Sequence, residues 1–158
     1  MTRTDRLFGT AALIGIAAIG AALVSQYVYG IQPCAWCVLQ RLIFCCITAA
    51  ALIGLLWRAP FGRQAGAALG LLLAACGIAA ALWQHFVAAP SNSCNLSLAE
   101  RIISALGLDE TLPQLFMALA SCAEAAVKLL GVPYEFWSLA LFALAAALLS
   151  SVLRQQRA

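Results

Sequence analysis

Cys34 and Cys37 are separated by two residues, and Arg41 follows Cys37 by four. Two thiols at that spacing can close into a disulfide across one turn of chain and reopen, which makes them a two-electron switch. Pro33-Cys34-Ala35-Trp36-Cys37 stands at the mouth of about twenty apolar residues in which Arg41 is the only charge. Most Cys-x-x-Cys pairs belong to soluble thioredoxin-like domains or to zinc sites. In this setting the natural electron partner is a molecule dissolved in lipid.

A passive disulfide is the alternative reading of the pair. A link between residues i and i+3 constrains almost nothing, because disulfide stabilisation grows with loop length. A helix N-terminus would also place partial positive charge beside a thiolate and lower its pKa. Both points favour a reactive pair. Zinc would need two further ligands, and the chain has no second Cys-x-x-Cys and a single histidine, His85. No metal is expected.

Five further cysteines sort by position. Cys94 and Cys122 fall in a long connection, where a structural staple and a redox pair are both open. Cys45, Cys46 and Cys76 fall inside apolar runs and read as small buried hydrophobes. Arg41 shares a helix face with Cys37. A guanidinium in hydrocarbon costs about 2.5–3.5 kcal/mol at a helix centre, so it either snorkels to the headgroups or serves as a permanent donor to a negative oxygen on a reduced cofactor. His85 follows Trp83 and Gln84 near the end of the third apolar run, where it is either structural or a donor to a quinone carbonyl at the depth of Arg41. Trp36 lies between the thiols and is placed to shape access to them.

The elements that must hold these residues are helices in lipid. The 158 residues are 65% hydrophobic and 9% charged, with a mean hydropathy of +0.97. Soluble domains carry about 25% charged residues, so the surplus apolar surface needs lipid as solvent. Four stretches are long enough to cross about 30 Å of hydrocarbon: 7–29, 38–57, 65–87 and 136–153, the last the shortest. The first is too long for a signal-peptide core and lacks a convincing cleavage site. We expect one domain, 1–158, an all-α four-transmembrane-helix bundle with a long periplasmic loop over 88–135.

Arg3, Arg6, Arg58, Arg63, Arg154 and Arg157 flank one side of these spans, where Asp5 is the only acid; Glu100, Asp109, Glu110, Glu124 and Glu135 lie on the other with Arg101 and Lys128. The positive-inside rule puts both termini in the cytoplasm. Pro33 suits the first turn of the second helix. Gly66, Gly70, Ala74, Gly77 and Ala81 form a small-residue stripe for close helix packing. Ser97 and Glu100 form a capping box for a short amphipathic helix over 97–108, whose Leu98, Ile102, Ile103, Leu106 and Leu108 suit a membrane surface. Leu112, Leu115, Phe116 and Leu119 give a second weakly amphipathic piece. Tryptophans and tyrosines near the span ends read as interfacial belts.

With these residues placed, the chain resembles the DsbB family of inner-membrane disulfide-generating oxidoreductases over nearly its whole length. The resemblance rests on Cys34-Ala35-Trp36-Cys37 with Arg41, on Gln84-His85, and on Cys94 with Ser121-Cys122-Ala123-Glu124. It implies that Cys94 and Cys122 form a loop disulfide, with Cys94 making the mixed disulfide to a DsbA-type thioredoxin-fold oxidase of the periplasm. It further implies that electrons pass to Cys34 and Cys37, and that Cys37 hands them to a membrane quinone, ubiquinone or menaquinone, beside Arg41 and His85. Partner thiols of that type have potentials near about −120 mV and are hard to oxidise, so a quinone must supply the driving force. Two departures stand out: an indole lies between the thiols, and Leu39-Gln40 offers no carboxylate before Arg41. Two other readings compete. One is a vitamin K epoxide reductase-like enzyme, in which the active pair normally sits on a later helix. The other is a scaffold or metal-handling protein with structural disulfides.

Overall fold

The computed structural model describes residues 2–90 and 97–157. Its frame is four long helices: α1 (Arg3–Tyr27), α2 (Ala35–Leu56), α3 (Pro60–Trp83) and, after the loop, α7 (Tyr134–Arg157). Each is long and apolar enough to cross a membrane. α3 packs between α2 and α7, and α1 closes the ring against the same two helices.

Local chemistry sets the helix ends. Thr2 accepts the Asp5 N–H while the Asp5 carboxylate accepts the Thr2 N–H, a capping box that starts α1 ahead of the apolar run. The carboxylate of Asp5 also pairs with Arg63 of α3, and Thr4 bonds Gln155 of α7 at 3.3 Å. Both chain ends and the α2–α3 turn thus meet at one end of the bundle. At the other, Gly30 takes a left-handed φ of 68° that turns the chain from α1 to α2.

The start of α2 differs from expectation. Cys34, not Pro33, marks the boundary: it is the N-cap, and its sulfur accepts the Cys37 N–H at 3.3 Å. Pro33 stays in the extended approach and leaves its carbonyl for the loop. α7 is likewise not the shortest span. It has 24 residues, because the helix continues through Glu135 and Arg154, whose charges shorten the hydropathy signal without breaking backbone hydrogen bonds.

The core confirms the small-residue stripe, since Gly66, Gly70, Ala74, Gly77 and Ala81 are all buried. A Cβ on Gly77 would run into the Phe142 ring, and that ring stacks on Phe44 at a centroid distance of 4.0 Å. Leu13, Ile16, Leu69, Leu72 and Leu144 point outward and are about half exposed or more. Such a surface is solvated by lipid, not water. Cys76 is exposed on that surface, and Cys45 and Cys46 are half buried, which corrects the expectation of fully buried thiols. In lipid an outward position is as apolar as an inward one, so composition does not tell the two apart.

The loop holds more structure than one amphipathic helix. α4 (Leu98–Ala105), α5 (Leu108–Thr111) and α6 (Pro113–Phe116) precede a hairpin of β1 (Lys128–Leu129) and β2 (Val132–Pro133). The Ser97–Glu100 capping box is present. Gly107, at φ 62°, ends the segment earlier than 108. Ile102 and Ile103 face inward, with Ile103 and Phe116 packed on Val38 of α2, whereas Leu98 and Leu106 face out. Half of the face expected on the membrane surface is therefore core.

A candidate thiol redox site

The site forms where the loop folds over the head of α2. Leu119 and Ala120 donate their N–H groups to the Pro33 carbonyl at 2.9 and 3.2 Å, pinning the strap to the residue before Cys34. The next turn is closed by Ser121 and Glu124: the Ser121 N–H and hydroxyl both donate to the Glu124 carboxylate, which they hold below its usual pKa. This turn carries Cys122 to the N-terminus of α2. There Cys122 meets Cys34 and the Trp36 N–H, one of the first-turn donors that a helix leaves without an internal partner.

Three of the four cysteines singled out in the sequence therefore converge. Cys34 is buried, with its sulfur 2.8 Å from that of Cys37, and Cys122 lies on its other side. The two outer thiols and burial push the Cys34 thiol above its ordinary pKa. Cys122 moves the other way: the Cys34 thiol and the Trp36 N–H stabilise its thiolate. The two sulfurs that face each other are thus shifted in opposite directions. Cys94 lies outside the described residues.

Arg41 is buried and does not reach the surface, with 5% of its area exposed. Its guanidinium donates to Gln26 Oε1 at 2.7 Å, to the Leu115 carbonyl at 3.1 Å and to the Ala22 carbonyl at 3.4 Å, which ties α1 and α6 to α2. Arg41 also lines a cavity of about 230 Å³ between α1, α2 and α7, together with Cys37, Gln40, Phe44, Tyr134 and Trp137. Pockets for drug-sized ligands measure about 300–1,000 Å³, so this space is on the small side of a ligand cavity. Its wall combines aromatic and small apolar residues with the Cys37 sulfur and the Arg41 guanidinium.

His85 is not among the residues lining that cavity. It sits in a π-helical turn (Gln84–Ala88) and pairs through Nδ1 with Glu135 Oε1 at 2.6 Å. Glu135 is 4% exposed, and its other oxygen has no partner among the described residues. It is Gln84, the neighbour of His85, that reaches the sulfur: its Nε2 lies 3.3 Å from Cys37 Sγ, and its Oε1 accepts from Gln40 Nε2 at 2.7 Å. Trp36, between the two thiols in sequence, is buried and packs against Trp83 at 6.3 Å. Gln26 was not singled out from the sequence, and Gln84 and Gln40 were named there only beside His85 and Arg41, without a role at the sulfur. An uncharged amide deep in an apolar run is the signal that could have found them, because such a group must have a hydrogen-bond partner. Among the described residues no cluster of His, Cys, Asp and Glu is arranged to hold a metal ion.

Four spans with a thiol cluster at one end define the class: a multi-pass membrane protein with cysteines gathered at the head of its second helix. Comparison with known proteins refines this. The family described as "Disulfide bond formation protein DsbB" matches residues 4–152. "Disulfide bond formation protein B" of Pseudomonas syringae pv. tomato is 32% identical, over 99% of this chain and 94% of that protein. The protein of the same name from Cupriavidus necator is 32% identical over 92% of this chain and 91% of its own. "Disulfide bond formation protein B 2" of Pseudomonas aeruginosa is 35% identical over 87% and 84%. The chain belongs to the DsbB family of membrane disulfide bond formation proteins.

Proposed function

We propose that this protein reoxidises a DsbA-type thioredoxin-fold dithiol oxidase in the periplasm and passes the electrons to a quinone of the bacterial inner membrane. The observation that carries the reading is the convergence of Cys34, Cys37 and Cys122 between a water-facing strap and an intramembrane cavity lined by Arg41. Family membership supports it and weighs against both the vitamin K epoxide reductase-like reading and the passive scaffold. The arginines gathered at the end where the termini meet support cytoplasmic termini and a periplasmic loop.

In this reading Cys94 and Cys122 start as a disulfide. A partner thiolate attacks Cys94, forming the mixed disulfide and releasing Cys122 as the thiolate its surroundings favour. Cys122 attacks Cys34, which breaks the Cys34–Cys37 bond, forms Cys34–Cys122 and leaves Cys37 as a thiolate. The partner's second thiol then attacks the mixed disulfide and departs oxidised, freeing Cys94. Cys94 in turn attacks Cys122, restores the loop disulfide and releases Cys34. A quinone, when bound, accepts two electrons and two protons. Cys37 and Arg41 would hold it: the sulfur delivers the electrons as the Cys34–Cys37 bond re-forms, and the guanidinium holds negative charge on the ring oxygen. The balance is partner dithiol plus quinone to partner disulfide plus quinol. The lining of Phe44, Tyr134 and Trp137 keeps water from the sulfur.

The test uses detergent-purified protein, a reduced thioredoxin-fold dithiol oxidase, and ubiquinone or menaquinone analogues followed by ultraviolet absorbance. Turnover that disappears with Cys37→Ser is expected. Folded wild-type protein that reduces neither quinone class would overturn the reading.

A further inference from the structure

Exchange at Cys34 leaves Cys37 carrying negative charge at the edge of the hydrocarbon, where an ion without donors is costly. Arg41 is nearby, but its hydrogen bonds go to Gln26, Leu115 and Ala22 and none goes to sulfur. Among the described residues, the side-chain N–H that reaches Cys37 Sγ belongs to Gln84, at 3.3 Å. Gln84 is 3% exposed, so water does not compete for its amide. Gln40 donates to its Oε1 at 2.7 Å, which turns the NH₂ end toward the sulfur. Gln84 also opens the π-helical turn, in which the Ala89 N–H reaches back five residues to its carbonyl at 2.8 Å. Such turns are rare and occur frequently at functional sites.

We infer that Gln84 is a catalytic residue of the thiol–quinone step: its oriented amide stabilises the Cys37 thiolate, with Gln40 as the positioning residue that fixes the orientation. The inference rests on the reading that Cys37 is released as a thiolate. It divides the electrostatic work. Gln84 serves the sulfur that gives electrons, which leaves the Arg41 guanidinium to serve the acceptor side of the cavity. The bland account is a clamp, in which the Gln40–Gln84 bond merely joins α2 to α3 and the contact with sulfur is incidental.

The two accounts separate in fully reduced protein without partner or quinone, with alkylation of each cysteine by iodoacetamide timed at pH 7 and resolved by peptide mass spectrometry. Gln84→Met keeps side-chain length and removes the donor. It should slow alkylation of Cys37 by about tenfold to a hundredfold, the equivalent of one hydrogen bond to a charged acceptor, with Cys122 unchanged. Gln40→Met breaks the same interhelical bond but leaves the Gln84 donor, and should slow Cys37 by less than about threefold, an effect on orientation alone. Thermal unfolding of both variants checks that they are folded; if Gln84→Met does not fold, Gln84→Leu takes its place. Wild-type alkylation of Cys37 in the Gln84 variant, or equal slowing in both variants, overturns the inference. Neither partner nor quinone takes part, so failure of the proposed overall reaction would show in turnover and not in this assay.

Discussion

Replacing Arg41 with Met tests the cavity most directly. The methionine keeps most of the side-chain length but removes the charge and three hydrogen bonds, to Gln26, Leu115 and Ala22. Gln26 is 6% exposed, so its carbonyl oxygen would be left buried without this partner. An orphaned buried acceptor costs about 1–3 kcal/mol. The Leu115 bond is part-buried and the Ala22 bond is long, so together they add no more than one further loss of that size. The variant should lose about 2–4 kcal/mol of stability and still fold, because the helix packing of α2 on α1 and α3 is untouched. On function, the loss is one charge-assisted hydrogen bond to the acceptor, about 1.5–3 kcal/mol, or roughly 10- to 150-fold in kcat/KM for quinone. Exchange should be spared, since Cys122 acts at Cys34 and the Trp36 N–H, more than one helical turn from Arg41. The assay is steady-state quinone reduction at varied quinone, set beside quinone-free exchange with a reduced partner, quenched in acid and read as mixed disulfide. Arg41→Lys should fall between, because one ammonium cannot span carbonyls on both α1 and α6. Equal losses in both steps, or no loss in either from folded protein, would refute the assignment of Arg41 to the acceptor.

Three further outcomes are expected. The Cys122 thiol is held below its ordinary pKa of about 9 and the Cys34 thiol above it, so at pH 7 more of Cys122 is thiolate; in the reduced protein iodoacetamide should modify Cys122 well before Cys34, and the gap should persist beyond pH 9, because Cys34 is still protonated there. Reversed order would place the nucleophile at Cys34. His85→Ala leaves the buried Glu135 side chain without its hydrogen-bond partner and should cost about 1–3 kcal/mol in thermal or denaturant unfolding, with a smaller change in quinone KM than Arg41→Met; the opposite ranking would put His85 at the cavity. Gly77→Ala drives a Cβ into the Phe142 ring and should cost about 1–3 kcal/mol, while Gly9→Ala, with open space around its Cβ, should be neutral or stabilising.

Much of this protein is legible in one dimension. Four apolar runs can have only one stable form in lipid, because every backbone N–H must be paired within its own helix. The sequence therefore determined the number of spanning helices, and arginine placement separated the two ends. Capping boxes at Thr2 and Ser97 are local patterns and appear where they should. The Cys34–Cys37 pair is legible for the same reason, since its reach is one helical turn.

What the sequence could not determine is what depends on partners far along the chain. Cys122 is separated from Cys34 by 88 positions, and only the strap bound to the Pro33 carbonyl brings it there. Arg41 is as consistent with a headgroup as with a cavity until α1 and α6 offer it Gln26, Ala22 and Leu115. Cys76 faces out and Gln84 faces in, although both lie in the same apolar stretch. In water, hydrophobicity would mark the inner face of a helix. In lipid both faces are apolar, so packing of the folded bundle alone decides which side chains meet.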